Sequence, residues 1–152
     1  MSQSSEMPLV SVIIASYNHA PYIEASINSV LAQTYPHIEL LVIDDGSSDD
    51  SVERIRRLQH NHGFDVRVQK NQGLAATLND AIARAGGCLI APLGSDDIML
   101  PDRIAKQVAY MTGKPQVGIC AGNIQEIDEH GRPIGKPKNL AFRSLNFEDV
   151  FR

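Results

Sequence analysis

Short runs of β-branched and other apolar residues alternate along this chain with stretches whose apolar positions recur every three to four residues. That alternation limits the fold more than any other feature. Leu9 to Ala15 is an apolar run of strand length rather than helix length, which suits a strand buried on both faces. After Asn18-His19-Ala20-Pro21, residues Ile23, Ile27, Val30 and Leu31 mark one face of a helix that Pro36 ends. Ile38 to Ile43 predicts a second strand, closed by Asp44-Asp45-Gly46-Ser47-Ser48. Val52, Ile55 and Leu58 line the next helix, which stops at Gly63.

Asp65 to Val68 predicts a short third strand, and Gly73 opens a helix with Leu74, Leu78, Ala81, Ile82 and Ala85 on one face. Cys88 to Leu93 predicts a fourth strand running into Gly94-Ser95-Asp96-Asp97. Pro101 suits the first turn of a helix bearing Ile104, Val108 and Met111. Gln116 to Ile127 reads as a fifth strand with a turn at 129–133, and a short helix is expected around Leu145 to Phe151. Strand and helix in strict alternation give an α/β fold: a Rossmann-like, mainly parallel sheet with helices on both faces. Ligands of such sheets bind beyond the carboxyl ends of the strands.

Composition excludes several classes. A chain of 152 residues with 43% hydrophobic and 21% charged residues is ordinary for one soluble domain. A net charge of −4 leaves no broad footprint for nucleic acid. No apolar run reaches the roughly 18 residues of a membrane span, and Met1 to Met7 has no signal-peptide pattern, so a cytoplasmic protein is expected. Cys88 and Cys120 lie in apolar runs without metal-ligand spacing and read as buried free thiols.

The chemistry is therefore sought at the strand ends. The first strand ends in Ala15-Ser16-Tyr17-Asn18, with no glycine-rich dinucleotide turn or phosphate loop. Tyr17 offers either a stacking surface for a base or a cover for the sheet edge. The second ends in Asp44-Asp45, whose carboxylates would repel each other and lose solvation if buried without partners. Turn chemistry accounts for Ser47 to Asp50, including a capping box Ser47-x-x-Asp50, but leaves Asp44 and Asp45 over. The fourth ends in Ser95-Asp96-Asp97, which reads either as a solvated acidic turn or as ligands for Mg²⁺ or Mn²⁺. Asn71, Gly73 and Asn79 mark the third helix; taken singly, each has an ordinary structural reading.

Taken together, Val10 to Asn18, Asp44-Asp45-Gly46-Ser47-Ser48-Asp49, Asn71-x-Gly73 with Asn79, and Ser95-Asp96-Asp97 with Pro101-Asp102-Arg103 resemble the donor-binding half of a family 2 glycosyltransferase. The resemblance covers residues 8–123. It implies a GT-A fold, a nucleotide-diphospho-sugar donor, a divalent Mn or Mg ion and inversion at the anomeric carbon. Carried over by position, Ala15 and Tyr17 contact base and ribose, and Asp45 hydrogen-bonds a uracil-type ring beside Asp44. Asn18, Asn71, Gly73, Asn79 and Ser95 complete the donor set, while Asp96 ligates the metal with Asp97 in support.

Two departures stand out. Gly94 occupies the first position of the family's Asp-x-Asp motif. By the resemblance, the family's general base is expected in a C-terminal half beyond these residues, since Glu148-Asp149 comes too early, and Glu126, Asp128 and Glu129 suit a solvated hairpin. The expected organisation is a disordered tail over 1–7, a nucleotide-sugar-binding domain over 8–134, and the start of the acceptor half over 135–152. The expected function is sugar transfer from a donor, UDP-linked by preference, to a glycan or lipid-linked acceptor in bacterial surface polysaccharide synthesis, with this chain binding the donor. Peripheral association of the full enzyme with the inner face of the membrane, and self-association through exposed apolar surface, accompany that reading.

Other classes remain. A phospho-acceptor receiver module also gathers acids around Mg²⁺, but it requires an acidic pair where Ser16-Tyr17-Asn18 stands. A nucleotidyltransferase would carry a glycine-rich basic loop where His19-Ala20-Pro21 stands. A non-catalytic nucleotide-binding or scaffolding role is the third.

Overall fold

A computed structural model describes residues 7–138. The expected tail falls outside these residues except for Met7, as does the helix expected around 145–151. The elements are β1 (Val10–Ser16), α1 (Ile23–Leu31), β2 (Ile38–Asp44), α2 (Ser51–His62), β3 (Asp65–Val68), α3 (Leu74–Arg84), β4 (Leu89–Gly94) and α4 (Arg103–Met111). The chain divides into two compact units, 1–109 and 110–152.

In the first unit the four strands are parallel, in the order β3-β2-β1-β4. Side chains alternate across a strand, so β1 feeds two cores. Val10, Val12 and Ile14 pack with Ile23, Ile27 and Val30 of α1, Ile55 of α2, and Ile104 and Val108 of α4. Ile13 packs on the opposite face with Leu41, Ile43 and Ala81 of α3. A sheet covered on both faces explains why β1 and β2 read as nearly continuous apolar runs. The register sets Ser16 beside Asp44 and Ala15 beside Gly94, which brings the strand ends to one edge of the sheet.

Polar residues on the buried side of α1 hold the segment after β4. Ser26 Oγ donates to the Gly94 carbonyl at 3.0 Å, and the Met99 N–H donates to Ser29 Oγ at 3.0 Å. Gln33 donates to the Leu100 carbonyl and accepts the Ile104 N–H at 3.1 Å, capping the first turn of α4. The helix begins at Arg103, so Pro101 stands in the turn before it and not in its first turn.

Three further expectations need correction. The residues described for 116–127 form no strand of the sheet; they make only isolated bridges, Ile124 to Lys138 and Ile127 to Pro133. Pro115 precedes the segment, Gly118 and Gly122 interrupt it, and Ile119 is 81% exposed. The expected turn at 129–133 is present, with Asp128 Oδ1 accepting the N–H groups of His130 and Arg132. Cys88 is exposed and Cys120 half-buried, because β4 lies at the sheet edge and no regular element covers 113–123. The Ser47-x-x-Asp50 capping box does not form: Asp50 makes no side-chain cap, and the Ser51 N–H donates to Asp49 Oδ1 instead.

Candidate functional site

A cleft of about 240 Å³ opens at the carboxyl edge of the sheet, lined by residues of the β1 end, Asp45, the start of α3 and Ser95. Its walls are built by loops that hold one another. Asp44, fully buried, accepts the N–H of Ser47 at 2.8 Å and the Ser47 hydroxyl at 2.6 Å. Ser47 Oγ in turn accepts the Asn18 N–H at 2.9 Å, and Asn18 Oδ1 accepts the Ser48 N–H at 2.8 Å. These bonds hold Asn18 at a φ of 53°, a left-handed conformation that asparagine tolerates better than most residues. Asp44 and Asn18 therefore serve as struts between the β1 and β2 loops, and neither lines the cleft.

Asp45 is also buried, and it lines the cleft. Its Oδ1 accepts Gln69 Nε2 at 2.9 Å and the Gln72 N–H at 3.0 Å, while Oδ2 accepts the Gly73 N–H at 2.9 Å. Burial opposes ionisation and is the largest single influence on this carboxyl. The donors Gln69, Gln72, Thr77 and Gly73 together outweigh it and hold the pKa below the ordinary aspartate value. Asp45 thus fastens the loop before α3 and occupies the N–H groups at that helix's start. Gly46, at φ +82°, passes so close to this loop that a Cβ there would lie 2.9 Å from the Asn71 nitrogen.

Tyr17 is 49% exposed at the rim of the cleft, and Ala15 lines it. Asn71 and Gly73 line the wall, whereas Asn79 is exposed on α3 outside the lining. Ser95 is buried, with its hydroxyl 2.6 Å from His19 Nδ1. Sequence reasoning passed over His19 because the five histidines show no metal spacing; the hydrogen bond to Ser95 spans 76 positions. Ser16 also went unnoticed. The residue lines the cleft, but its hydroxyl is shielded from solvent and has no protein partner among the described residues.

Asp96 and Asp97 are exposed in the turn after β4. Their carboxylates fold back over Gly94: Asp96 Oδ1 and Asp97 Oδ2 lie 3.0 Å and 2.7 Å from where a Cβ on Gly94 would stand. The missing side chain at 94 is thus the space that the two later acids occupy. Among the described residues no three His, Cys, Asp or Glu side chains gather around one point, so a cation here would draw two carboxylates from these residues. Hard divalent cations accept that arrangement, completing the shell with water and phosphate oxygens. Among the same residues, no helix is long and apolar enough to cross a membrane.

Comparison with known proteins agrees with this geometry. The profile of Glycosyl transferase family 2 matches residues 11–150. The UDP-Glc:alpha-D-GlcNAc-diphosphoundecaprenol beta-1,3-glucosyltransferase WfgD of Escherichia coli is 36% identical over 140 residues, 90% of this chain and 54% of that protein. A poly-beta-1,6-N-acetyl-D-glucosamine synthase of Staphylococcus epidermidis is 28% identical over 145 residues, 95% of this chain and 35% of that protein. The chain thus spans about half the length of such relatives, or less. Among solved structures, the mannosyltransferase PcManGT of Pyrobaculum calidifontis, in complex with GDP-Man and Mn²⁺, superposes with a TM-score of 0.68 at 29% identity over 75% of this chain and 35% of that one. The parallel sheet and its helices are of the GT-A type, and the chain belongs to glycosyl transferase family 2.

Proposed function

We propose that this chain is the donor-binding portion of an inverting glycosyltransferase that takes a nucleotide-diphospho-sugar, UDP-linked by preference, for bacterial surface polysaccharide synthesis. The observation that carries the proposal is the cleft itself. At one end it presents a buried carboxylate and an α3 start, and at the other the Ser95 wall beside two carboxylates that converge over Gly94. The receiver and nucleotidyltransferase alternatives fall with the family membership.

In this reading Tyr17 stacks on the base or ribose, and Ala15, Asn71 and Gly73 form the walls around it. Asp45 faces the base edge. A ring N–H reaching it must share or displace a donor, and the Gln69 and Thr77 side chains are the ones able to rotate away. Asp96 and Asp97 are the residues that would hold Mn²⁺ or Mg²⁺. Such an ion, when bound, offsets the negative charge that develops on a departing nucleoside diphosphate. Transfer to a glycan or lipid-linked acceptor belongs, in this proposal, to the longer protein. The relative that acts on a diphosphoundecaprenol-linked sugar supports a lipid-linked acceptor and work at the inner membrane face.

Calorimetric titration of UDP with Mn²⁺, then with EDTA, tests the reading. Binding that requires the ion and falls at least tenfold in Asp96→Ala and Asp97→Ala is expected. UDP binding that is indifferent to the ion and to both substitutions would remove the metal assignment, and the absence of any nucleotide binding would remove the donor site.

A further inference from the structure

His19 is fixed from several sides. Its N–H donates to Ser51 Oγ at 3.1 Å, its carbonyl accepts the Tyr22 and Ile23 N–H groups at 3.0 Å, and its ring stands edge-on to Tyr22. The hydroxyl of Ser95 meets Nδ1 at 2.6 Å. In the tautomer where the serine hydroxyl donates to Nδ1, the ring proton stands on Nε2. The ring lines the cleft, and among the described residues no protein group engages Nε2.

The cleft's charge makes that nitrogen informative. No Lys or Arg lines it, and Asp45 is its lining carboxylate. A nucleoside diphosphate would bring at least two further negative charges. His19 is bonded to Ser95, the neighbour of Asp96, so its ring stands at the end of the cleft where the phosphates would lie.

We infer that His19 binds the donor's diphosphate, its Nε2–H donating to a phosphate oxygen while Ser95 orients the ring. The inference rests on the nucleotide reading above and adds a residue to it. Binding here is positional. His19 sets the distance between the diphosphate and the Asp96–Asp97 turn, and it supplies an N–H donor where the cleft lining has no other side chain able to carry positive charge.

Two isosteric substitutions separate this role from a structural one. An asparagine amide reaches the place of Nδ1 and preserves the Ser95 contact, whereas a glutamine amide reaches the place of Nε2. UDP and uridine are titrated into the 152-residue chain with Mn²⁺, following amide chemical shifts, for wild type, His19→Asn and His19→Gln. The expected result is a loss of UDP affinity in His19→Asn of about tenfold to a hundredfold, the range for a hydrogen bond to a charged group. Uridine affinity should stay unchanged, and His19→Gln should hold UDP within a fewfold of wild type. The inference is overturned if His19→Asn binds UDP like wild type, or if it loses UDP and uridine alike, which marks a scaffold residue. Wild-type protein that binds neither ligand overturns the nucleotide reading itself, a result distinct from either.

Discussion

The loop before α3 depends on one carboxylate, and Asp45→Asn tests that dependence. Asparagine keeps the shape but replaces one acceptor oxygen with an amide donor. Its best orientation keeps the carbonyl toward Gln69 Nε2 and the Gln72 N–H and turns the amide against the Gly73 N–H. One hydrogen bond to a charged group is lost, worth about 1.5–3 kcal/mol, and the two that remain lose their charge assistance, roughly 0.5–1 kcal/mol each. The expected destabilisation is about 2–5 kcal/mol, a large part of the 5–15 kcal/mol typical of a domain. With a urea slope of about 1–3 kcal/mol per molar, the midpoint should fall by one to a few molar. The effect has a signed pH dependence. The folded Asp45 pKa lies below its ordinary value, so its contribution is complete above the ordinary carboxylate range and disappears as pH falls through the depressed folded value. Asparagine does not titrate, so the wild-type and variant curves should converge on acidification. A difference below about 1 kcal/mol at neutral pH, or one that stays constant into strong acid, would refute the structural role given to Asp45.

Two further substitutions probe the frame around the cleft. Gly46→Ala forces a side chain into a left-handed residue with 2.9 Å to a backbone nitrogen, and it should cost roughly 2 kcal/mol or more in urea unfolding. Ser29→Ala leaves the buried Met99 N–H without its acceptor, and the expected cost is about 1–3 kcal/mol. Because that bond anchors the segment carrying Asp96 and Asp97, calorimetry should also show weaker Mn²⁺-dependent UDP binding in Ser29→Ala.

Local periodicity and the strand-end acids were enough to place β1 to β4 and α1 to α4, because apolar spacing encodes which face of each element is buried. The same reading failed for 116–127, where an apolar run broken by glycines makes only isolated bridges, and for Cys88, whose exposure follows from β4 being an edge. The order of the motifs also carried the family, since their spacing along the chain needs no knowledge of the fold.

The division of labour among the acids is another matter. Asp44 and Asp45 are adjacent and chemically identical, yet one turns back to Ser47 in its own loop and the other reaches Gln72 and Gly73 nearly thirty positions on. Strand alternation sends neighbours to opposite sides, but what waits on each side is set by loops from distant elements. The meeting of His19 with Ser95, the unpartnered Ser16 hydroxyl and the use of the space above Gly94 arise the same way. Sequence determined which residues stand at the strand ends. Only the packing of β1 between β2 and β4 decided which became struts and which were left facing the cleft, because a side chain's partners at a strand end come from other segments of the chain.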